Sequence, residues 1–159
     1  MRVAGIQRDS ITNGIGVRDV IFLQGCSHRC KGCQNPQTWD YNGGEHRFVG
    51  EIVKELSDSS NNVTISGGEP LDQYESLVSL CRQLNKQGKS IWLYTGHTVN
   101  PTKAIYSTLA EYVDVIVDGR FVLELIDSNL LFRGSSNQRL IDLPKSVKAG
   151  RVVLWEEEE

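Results

Sequence analysis

The chain has 159 residues, 39% hydrophobic and 23% charged, which fits one soluble globular domain and excludes a disordered or collagen-like chain. Its 17 basic and 20 acidic side chains give a net charge of −3, and no basic stripe typical of nucleic-acid binding is present. The apolar runs are far shorter than the roughly 20 residues that cross a bilayer, and the start lacks the apolar segment of a signal peptide. We therefore expect a single cytoplasmic domain over residues 1–159, with neither nucleic-acid nor membrane partner and with a solvated acidic tail at residues 156–159.

Apolar spacing predicts strands and helices that alternate along the chain. The predicted strands are Arg18–Gln24, Asn62–Ser66, Ser90–Tyr94 and Val113–Val117. The predicted helices between them begin near Phe48, Leu71 and Pro101. Such alternation is typical of right-handed crossovers in a parallel sheet, so the predicted class is α/β. A complete eight-unit barrel takes at least about 200 residues, so we expect a compact, open partial (β/α) barrel of about five or six units with a mostly parallel sheet.

Each predicted strand runs into a loop rich in glycine and polar residues. In parallel α/β folds, functional side chains gather at the carboxyl ends of the strands. We therefore expect these four loops to line one cleft. They are the cysteine loop, Gly67–Pro70, Thr95–His97 and Asp118–Arg120.

Three of the four cysteines, Cys26, Cys30 and Cys33, have the spacing C-x3-C-x2-C in one short loop. A disulfide between two of them would leave an odd thiol beside it, so the pattern suggests a metal centre. Structural zinc normally uses two separated ligand pairs, and His28 would be a crowded fourth ligand. A four-iron cluster fits better, because three thiolates leave one iron open for a substrate. A zinc-binding or redox-sensing module without catalysis is the alternative.

Other loop residues have a functional and a structural interpretation. Gly67 and Gly68 let the backbone approach a ligand closely, and Glu69 adds a carboxylate; the alternative is a tight turn before a helix. Asp118 follows five apolar residues and needs a partner such as an ion or ligand, unless it lies exposed in a turn. His97 could act as an acid or base, or simply be solvated.

The cysteine spacing and the strand that runs into Gly-Gly-Glu-Pro together resemble the radical S-adenosylmethionine superfamily. The resemblance implies that Cys26, Cys30 and Cys33 hold a 4Fe-4S cluster, with the methionine part of S-adenosylmethionine on the open iron. It also implies that the segment Gly67–Glu69 meets the amino group of that cofactor. Many members have an aromatic residue before the third cysteine, where this chain has Gly32.

The glycyl-radical activating members of the superfamily use later strand ends for further contacts with the cofactor or with a monovalent cation. Thr95, Asp118 and Arg120 match those positions approximately. The resemblance therefore implies that these three residues belong to the cofactor-binding set.

Further stretches narrow the resemblance to one family, the anaerobic ribonucleoside-triphosphate reductase activating proteins. Asn13–Arg18 precedes the first predicted strand, and Asn35–Trp39 follows the cysteine loop. The family commonly has the residue types found here at His28 and Gly32. Arg133–Arg139 looks like the family's R-G-S-x-N-Q-R motif, which we assign to the cofactor or partner surface, with a solvated turn as the alternative.

The resemblance implies that a reduced cluster passes one electron into S-adenosylmethionine, and that the resulting 5′-deoxyadenosyl radical takes hydrogen from a backbone glycine of the reductase. The implied partners are the large subunit of that reductase and a low-potential electron donor such as a flavodoxin. No catalytic residue beyond the cluster ligands is assigned. The alternative within radical enzymes is another target, either a different glycyl-radical enzyme or a small heterocycle.

Overall fold

The computed structural model describes residues 1–157, which contain a seven-stranded sheet and four α-helices; residues 158–159 of the acidic tail lie outside this range. Strands β1 to β7 are Arg2–Ser10, Arg18–Leu23, Glu45–His46, Asn62–Gly67, Ile91–Tyr94, Val115–Asp118 and Arg139–Asp142. Helices α1 to α4 are Val49–Leu56, Tyr74–Lys86, Ala104–Leu109 and Leu143–Ala149. Within the described residues, no helix combines the length and the apolar character needed to cross a membrane.

The strands lie in the order β3-β1-β2-β4-β5-β6-β7. At the centre, β2, β4, β5 and β6 are parallel neighbours, whereas β1, β3 and β7 pair in the antiparallel sense. The predicted α/β class is confirmed. The sheet is mixed and open, since it does not close into a barrel, and the finer expectation of a partial barrel of five or six units stays a prediction.

The central strands are buried on both faces, which explains the unbroken apolar runs Ile91–Tyr94 in β5 and Val115–Val117 in β6. On one face, Ile91 and Leu93 of β5 join the main core formed with the helices. On the other face, Trp92 packs in an aromatic cluster with Phe132 and Trp155. Cys81 of α2 is fully buried in the main core, and this burial raises the pKa of its thiol to about 12.

Strand β1 is missing from the predicted elements, although it spans nine residues. It pairs with β2, but the register shifts between Val3 and Gly5 and again between Gln7 and Ser10. Such irregularities interrupt the two-residue alternation by which a strand is recognised in sequence. The element is therefore defined by its pairing with β2 more than by its own pattern.

A buried arginine, Arg18, holds the loop before β2 against the sheet through hydrogen bonds. The Arg18 guanidinium donates to Thr64 Oγ1 and to the Val63 carbonyl, both at 2.9 Å, and lies 5.6 Å from the centre of the Trp92 ring. The Thr64 hydroxyl in turn donates to the carbonyl of Asn13. Desolvation lowers the pKa of Arg18 to about 10, so the side chain stays charged at neutral pH. These contacts hold the stretch Asn13–Arg18 against the sheet.

Candidate functional site

The carboxyl ends of the four parallel strands meet at one cleft. Because parallel neighbours end on the same edge of a sheet, the loops that follow them are brought together. This confirms the convergence expected from strand order. The cleft residues that follow these strands are Cys26, Cys30, Cys33, Gly68, Thr95, Gly96, Gly119 and Arg120, and Gly67, the last residue of β4, lines it too.

The cysteine loop leaves β2 and contributes three free thiols to the cleft. Cys26 is buried, whereas Cys30 and Cys33 are half-buried. Burial raises the pKa of the Cys26 thiol, and backbone hydrogen bonds within the loop oppose this effect. The backbone N–H of Asn35 donates to Cys33 Sγ at 3.4 Å. Backbone N–H groups that donate to sulfur in this way orient the sulfur ligands of a metal centre.

The arrangement of these thiols fits a cluster better than a single ion. Within residues 1–157, the side chains close enough to share one ion are His28, Glu69 and His97, and the three cysteines are not among them. A lone zinc needs its ligand atoms close together, whereas a four-iron cluster takes each thiolate on a different iron. His28 is also engaged elsewhere, since its Nε2 donates to Glu69 Oε1 at 2.8 Å.

The segment after the cysteine loop braces the beginning of that loop. The N–H of Gly25 donates to the carbonyl of Thr38 at 2.6 Å, and the N–H of Cys26 donates to the carbonyl of Trp39 at 3.2 Å. Thr38 is fully buried, and its hydroxyl donates to the Asn35 carbonyl at 2.7 Å. The Asn35–Trp39 stretch therefore supports the first cysteine, and Asn35 and Trp39 also line the cleft.

Gly32 has a structural reason to be glycine. Its φ is 77°, in the left-handed region that side-chain-bearing residues rarely adopt. A β-carbon there would also come within 2.8 Å of Leu123 Cδ1. An aromatic residue before the third cysteine would therefore be strained by its backbone conformation, and it would also displace the Leu123 side chain.

Gly67, the last residue of β4, and Gly68 after it allow close backbone contact with the cysteine loop. Gly67 has a φ of 131°, and a β-carbon there would collide with the backbone of Leu23. A β-carbon on Gly68 would meet the carbonyl oxygen of Gly25. The N–H of Glu69 donates to that same carbonyl at 2.8 Å. The absence of side chains thus lets the end of β4 lie directly against the start of the cysteine loop.

The Glu69 carboxylate is directed at protein donors. It is 1% exposed, and its Oε1 accepts from His28 Nε2 at 2.8 Å, Thr95 Oγ1 at 2.9 Å and Gly96 N at 2.8 Å. Its Oε2 accepts from the N–H of Leu71 at 2.9 Å. These donors satisfy the hydrogen-bonding capacity of the carboxylate. The residues of this segment that line the cleft are Gly67 and Gly68, which precede Glu69.

Asp118 is also buried with a protein partner. It is 1% exposed, and Arg139 of β7 donates from Nε to Oδ1 at 3.0 Å and from Nη2 to Oδ2 at 2.7 Å. The N–H of Val99 donates to Oδ2 at 2.8 Å. The partner that this strand-end acid requires is therefore an arginine, and the turn does not expose the carboxylate.

The stretch Arg133–Arg139 forms hydrogen bonds with the turn that follows β6. Gln138 Nε2 donates to the Gly119 carbonyl at 3.0 Å, and Asn137 Nδ2 donates to the Arg120 carbonyl at 2.8 Å. Gln138 also lines the cleft, as does the exposed Arg120. The stretch is therefore a brace for this wall of the cleft and not a solvated turn.

Part of the cleft wall is formed by residues that the sequence pattern does not single out. The additional lining residues include Asn13, Ser66, Tyr94 and Phe121. Three of them lie at or shortly after the end of a parallel strand, and that position was the available signal. His97 is half-exposed beside His28, with ring centroids 4.8 Å apart, but it is not one of the described residues that line the cleft.

The family model and the known proteins that match this chain point to one family. A family model described as a 4Fe-4S single cluster domain matches residues 12–141. The anaerobic ribonucleoside-triphosphate reductase-activating protein of Escherichia coli (strain K12) is 35% identical over 138 residues, which cover 80% of this chain and 90% of that relative. Proteins of the same name from Vibrio cholerae and Enterobacteria phage T4 are 36% and 38% identical, with 80% of this chain and 89% and 85% of the relatives covered. The chain therefore belongs to the family of anaerobic ribonucleoside-triphosphate reductase-activating proteins and carries a 4Fe-4S single cluster domain.

Proposed function

We propose that this protein activates an anaerobic ribonucleoside-triphosphate reductase by radical S-adenosylmethionine chemistry, and that residues 1–159 form one domain for this purpose. The observation that carries the proposal is the convergence of three free cysteines and three further strand ends on one cleft. The match to a 4Fe-4S single cluster domain favours an iron-sulfur enzyme over a zinc module. The names of the relatives favour the reductase over another radical target.

In this proposal, Cys26, Cys30 and Cys33 hold the cluster. Three thiolate ligands leave one iron of a four-iron cluster without a protein ligand, which is where S-adenosylmethionine would bind. When bound, the cluster and S-adenosylmethionine supply the one-electron cleavage and the hydrogen abstraction that leave a radical on a glycine of the reductase. The chain itself orients these groups and, through the buried side of the loop at Cys26, limits the access of water.

The polar ends of S-adenosylmethionine match the chemistry of the cleft walls. Its ammonium group prefers carbonyl oxygens, and the backbone of Gly67 and Gly68 lines the cleft. Its carboxylate prefers a cation, and Arg120 is an exposed cation that lines the cleft after β6. These contacts would orient the methionine part toward the cysteine loop.

Thr95 and Asp118 support this site through other residues. Thr95 donates to both oxygens of Glu69, at 2.9 and 3.0 Å. Asp118 holds Arg139 and thereby the wall that carries Arg120. A monovalent cation at this strand end would have to share a carboxylate that already binds an arginine in a bidentate manner.

The partners in this proposal are proteins. The large subunit of the reductase would bring its glycine to the mouth of the cleft, and an open partial barrel would admit such a loop. A low-potential donor such as a flavodoxin would supply the electron. The exposed apolar side chains Leu123, Leu125 and Ile126 lie in the segment beside the cleft residue Phe121 and are available to a protein partner.

The test begins with anaerobic reconstitution and analysis of iron, sulfide and zinc. We expect about four irons and four sulfides per chain, lost in Cys30→Ala and retained in Cys81→Ala, because Cys81 lies in the main core. The loaded protein, mixed with the large subunit, a reductant and S-adenosylmethionine, should generate an organic radical on the large subunit in electron paramagnetic resonance spectra. Zinc without iron, or activation by Cys30→Ala, would contradict the proposal.

A further inference from the structure

We propose that Glu69 and His28 form a positioning pair that fixes the cysteine loop against the strand ends on the cofactor side of the cleft. Glu69 does not touch the cofactor in this proposal; it acts through His28. The inference rests on the proposed function, because it concerns the alignment of a cluster held by the loop with S-adenosylmethionine held by the strand ends.

The first support is the state of the Glu69 carboxylate. A buried carboxylate is costly unless donors satisfy it, and here the donors come from three separate segments. They are His28 in the cysteine loop, Leu71 in the turn after β4, and Thr95 with Gly96 after β5. One side chain therefore joins the loop to two neighbouring strand ends.

The second support is the place of His28 in the loop. It lies two residues after Cys26 and two before Cys30, so any movement of its backbone displaces both thiols. Its side chain is 6% exposed, and Nε2 must be the donor because a carboxylate can only accept. Its Nδ1 is buried and has no hydrogen-bond partner within residues 1–157. The contact with Glu69 is therefore the polar anchor of this ring.

The third support is the irregular backbone around the histidine. The next residue, Arg29, has a φ of 49°, and Gly32 also lies in the left-handed region. At the start of the loop, main-chain bonds tie Gly25 to Thr38 and Glu69. The turn at its end is closed by the bond from Cys33 N to the Cys30 carbonyl. Between these points, the hydrogen bond from His28 to Glu69 crosses to the strand ends, and the His28 ring also packs beside His97 after β5.

A positioning pair predicts a defect different from that of a lost cluster ligand. The three thiols remain in a variant of the pair, so the cluster should still assemble. The loop, however, would no longer be held at a set distance from the glycine backbone after β4. We expect weaker coupling between the cluster and S-adenosylmethionine at an unchanged iron content.

The experiment compares full-length, reconstituted variants with matched side chains. His28→Phe keeps a ring and removes the donor, and His28→Gln keeps a donor nitrogen near the place of Nε2. Glu69→Gln removes the charge from the other partner. His46→Phe is the control, since His46 is an exposed histidine on β3. Iron content and far-UV circular dichroism first establish that each variant is loaded and folded.

The readout is the electron paramagnetic resonance spectrum of the reduced cluster during titration with S-adenosylmethionine. His28→Phe and Glu69→Gln should need at least about 10-fold more S-adenosylmethionine for the same spectral change, as is typical when an outer-shell partner of a metal site is lost. His28→Gln should recover most of the difference, and His46→Phe should match the wild type.

The outcomes separate this inference from the proposed function. A wild-type protein that binds iron but shows no spectral change with S-adenosylmethionine would overturn the proposed function, and the inference with it. A normal wild-type titration together with normal titrations of His28→Phe and Glu69→Gln would overturn the inference alone. A defect in only one partner would also overturn it, because a pair requires the same defect from either side.

Discussion

At the residue scale, the two acidic side chains that look like ligands in the sequence have structural partners. Glu69 lies two residues after β4 and Asp118 is the last residue of β6, and each accepts several hydrogen bonds from the protein. Arg18 is a third buried charge, held by carbonyl and hydroxyl oxygens. Since burying a charge is costly unless it is paired, these residues stabilise the walls of the cleft before any cofactor binds.

The structural role of the pair Asp118 and Arg139 can be tested by measuring the free energy of unfolding. Arg139→Leu removes both guanidinium bonds and leaves a buried carboxylate with the N–H of Val99 as donor. We expect the free energy of unfolding to fall by about 2 kcal/mol, measured by urea denaturation. Lys145→Ala, which removes an exposed pair with Asp142 at 3.9 Å, should change it by less than about 0.5 kcal/mol. Equal stability of the two variants would show that the Arg139 pair is not structural.

At the element scale, the loops depend on neighbouring segments for their shape. The Asn35–Trp39 stretch braces the start of the cysteine loop, and Arg133–Arg139 braces the turn after β6. Between β2 and β4, the fit depends on a glycine, because the end of β4 touches the Leu23 backbone. The cleft is therefore assembled from segments that are distant in the chain.

Two glycines provide a matched test of this close contact. Gly67→Ala places a β-carbon against backbone at a φ of 131°, so we expect a loss of about 1–3 kcal/mol in unfolding free energy and a lower iron content after reconstitution. Gly50 lies in α1, where a β-carbon would meet no atom within 4 Å, so Gly50→Ala should stabilise the protein by about 0.5–1 kcal/mol. Denaturation curves and iron analysis of both variants decide the point. A stable, fully loaded Gly67→Ala protein would contradict the close-contact argument.

At the scale of the whole molecule, the main core and the cysteine loop are separate. The main core consists of the apolar side of the helices and one face of the sheet, and none of the three loop cysteines belongs to it. A fold that depends on its metal has little core of its own, whereas this sheet is buried on both faces. The fold should therefore be independent of the cluster.

Removal of the cluster tests this independence. After iron chelation under anaerobic conditions, we expect far-UV circular dichroism to be unchanged and thermal unfolding to stay cooperative. Limited proteolysis should become faster within residues 24–40, because the loop loses the ligand that joins its thiols. Loss of secondary structure on chelation would show instead that the cluster is required for folding.

Much of this organisation can be predicted from local pattern. The predicted bounds of the four central strands lie within about two residues of the observed ends, since each strand is rich in β-branched and aromatic residues and is followed by a glycine-containing loop. The spacing of the cysteines and the glycines after β4 identifies the two halves of the cleft. Strand β1 and the pairing of β7 could not be predicted, because register shifts and antiparallel edge pairing leave little trace in a single sequence.

The sequence by itself determined the class of fold, the order of the loops and the residue types that reach the cleft, because each of these depends on spacing along the chain. Only the tertiary structure decided what Glu69 and Asp118 bond to, since their partners His28 and Arg139 lie 41 and 21 residues away. A carboxylate beside a glycine turn has the same local pattern whether it meets a ligand or a protein donor. The distinction is made by distance and burial, which exist only once the strands are side by side.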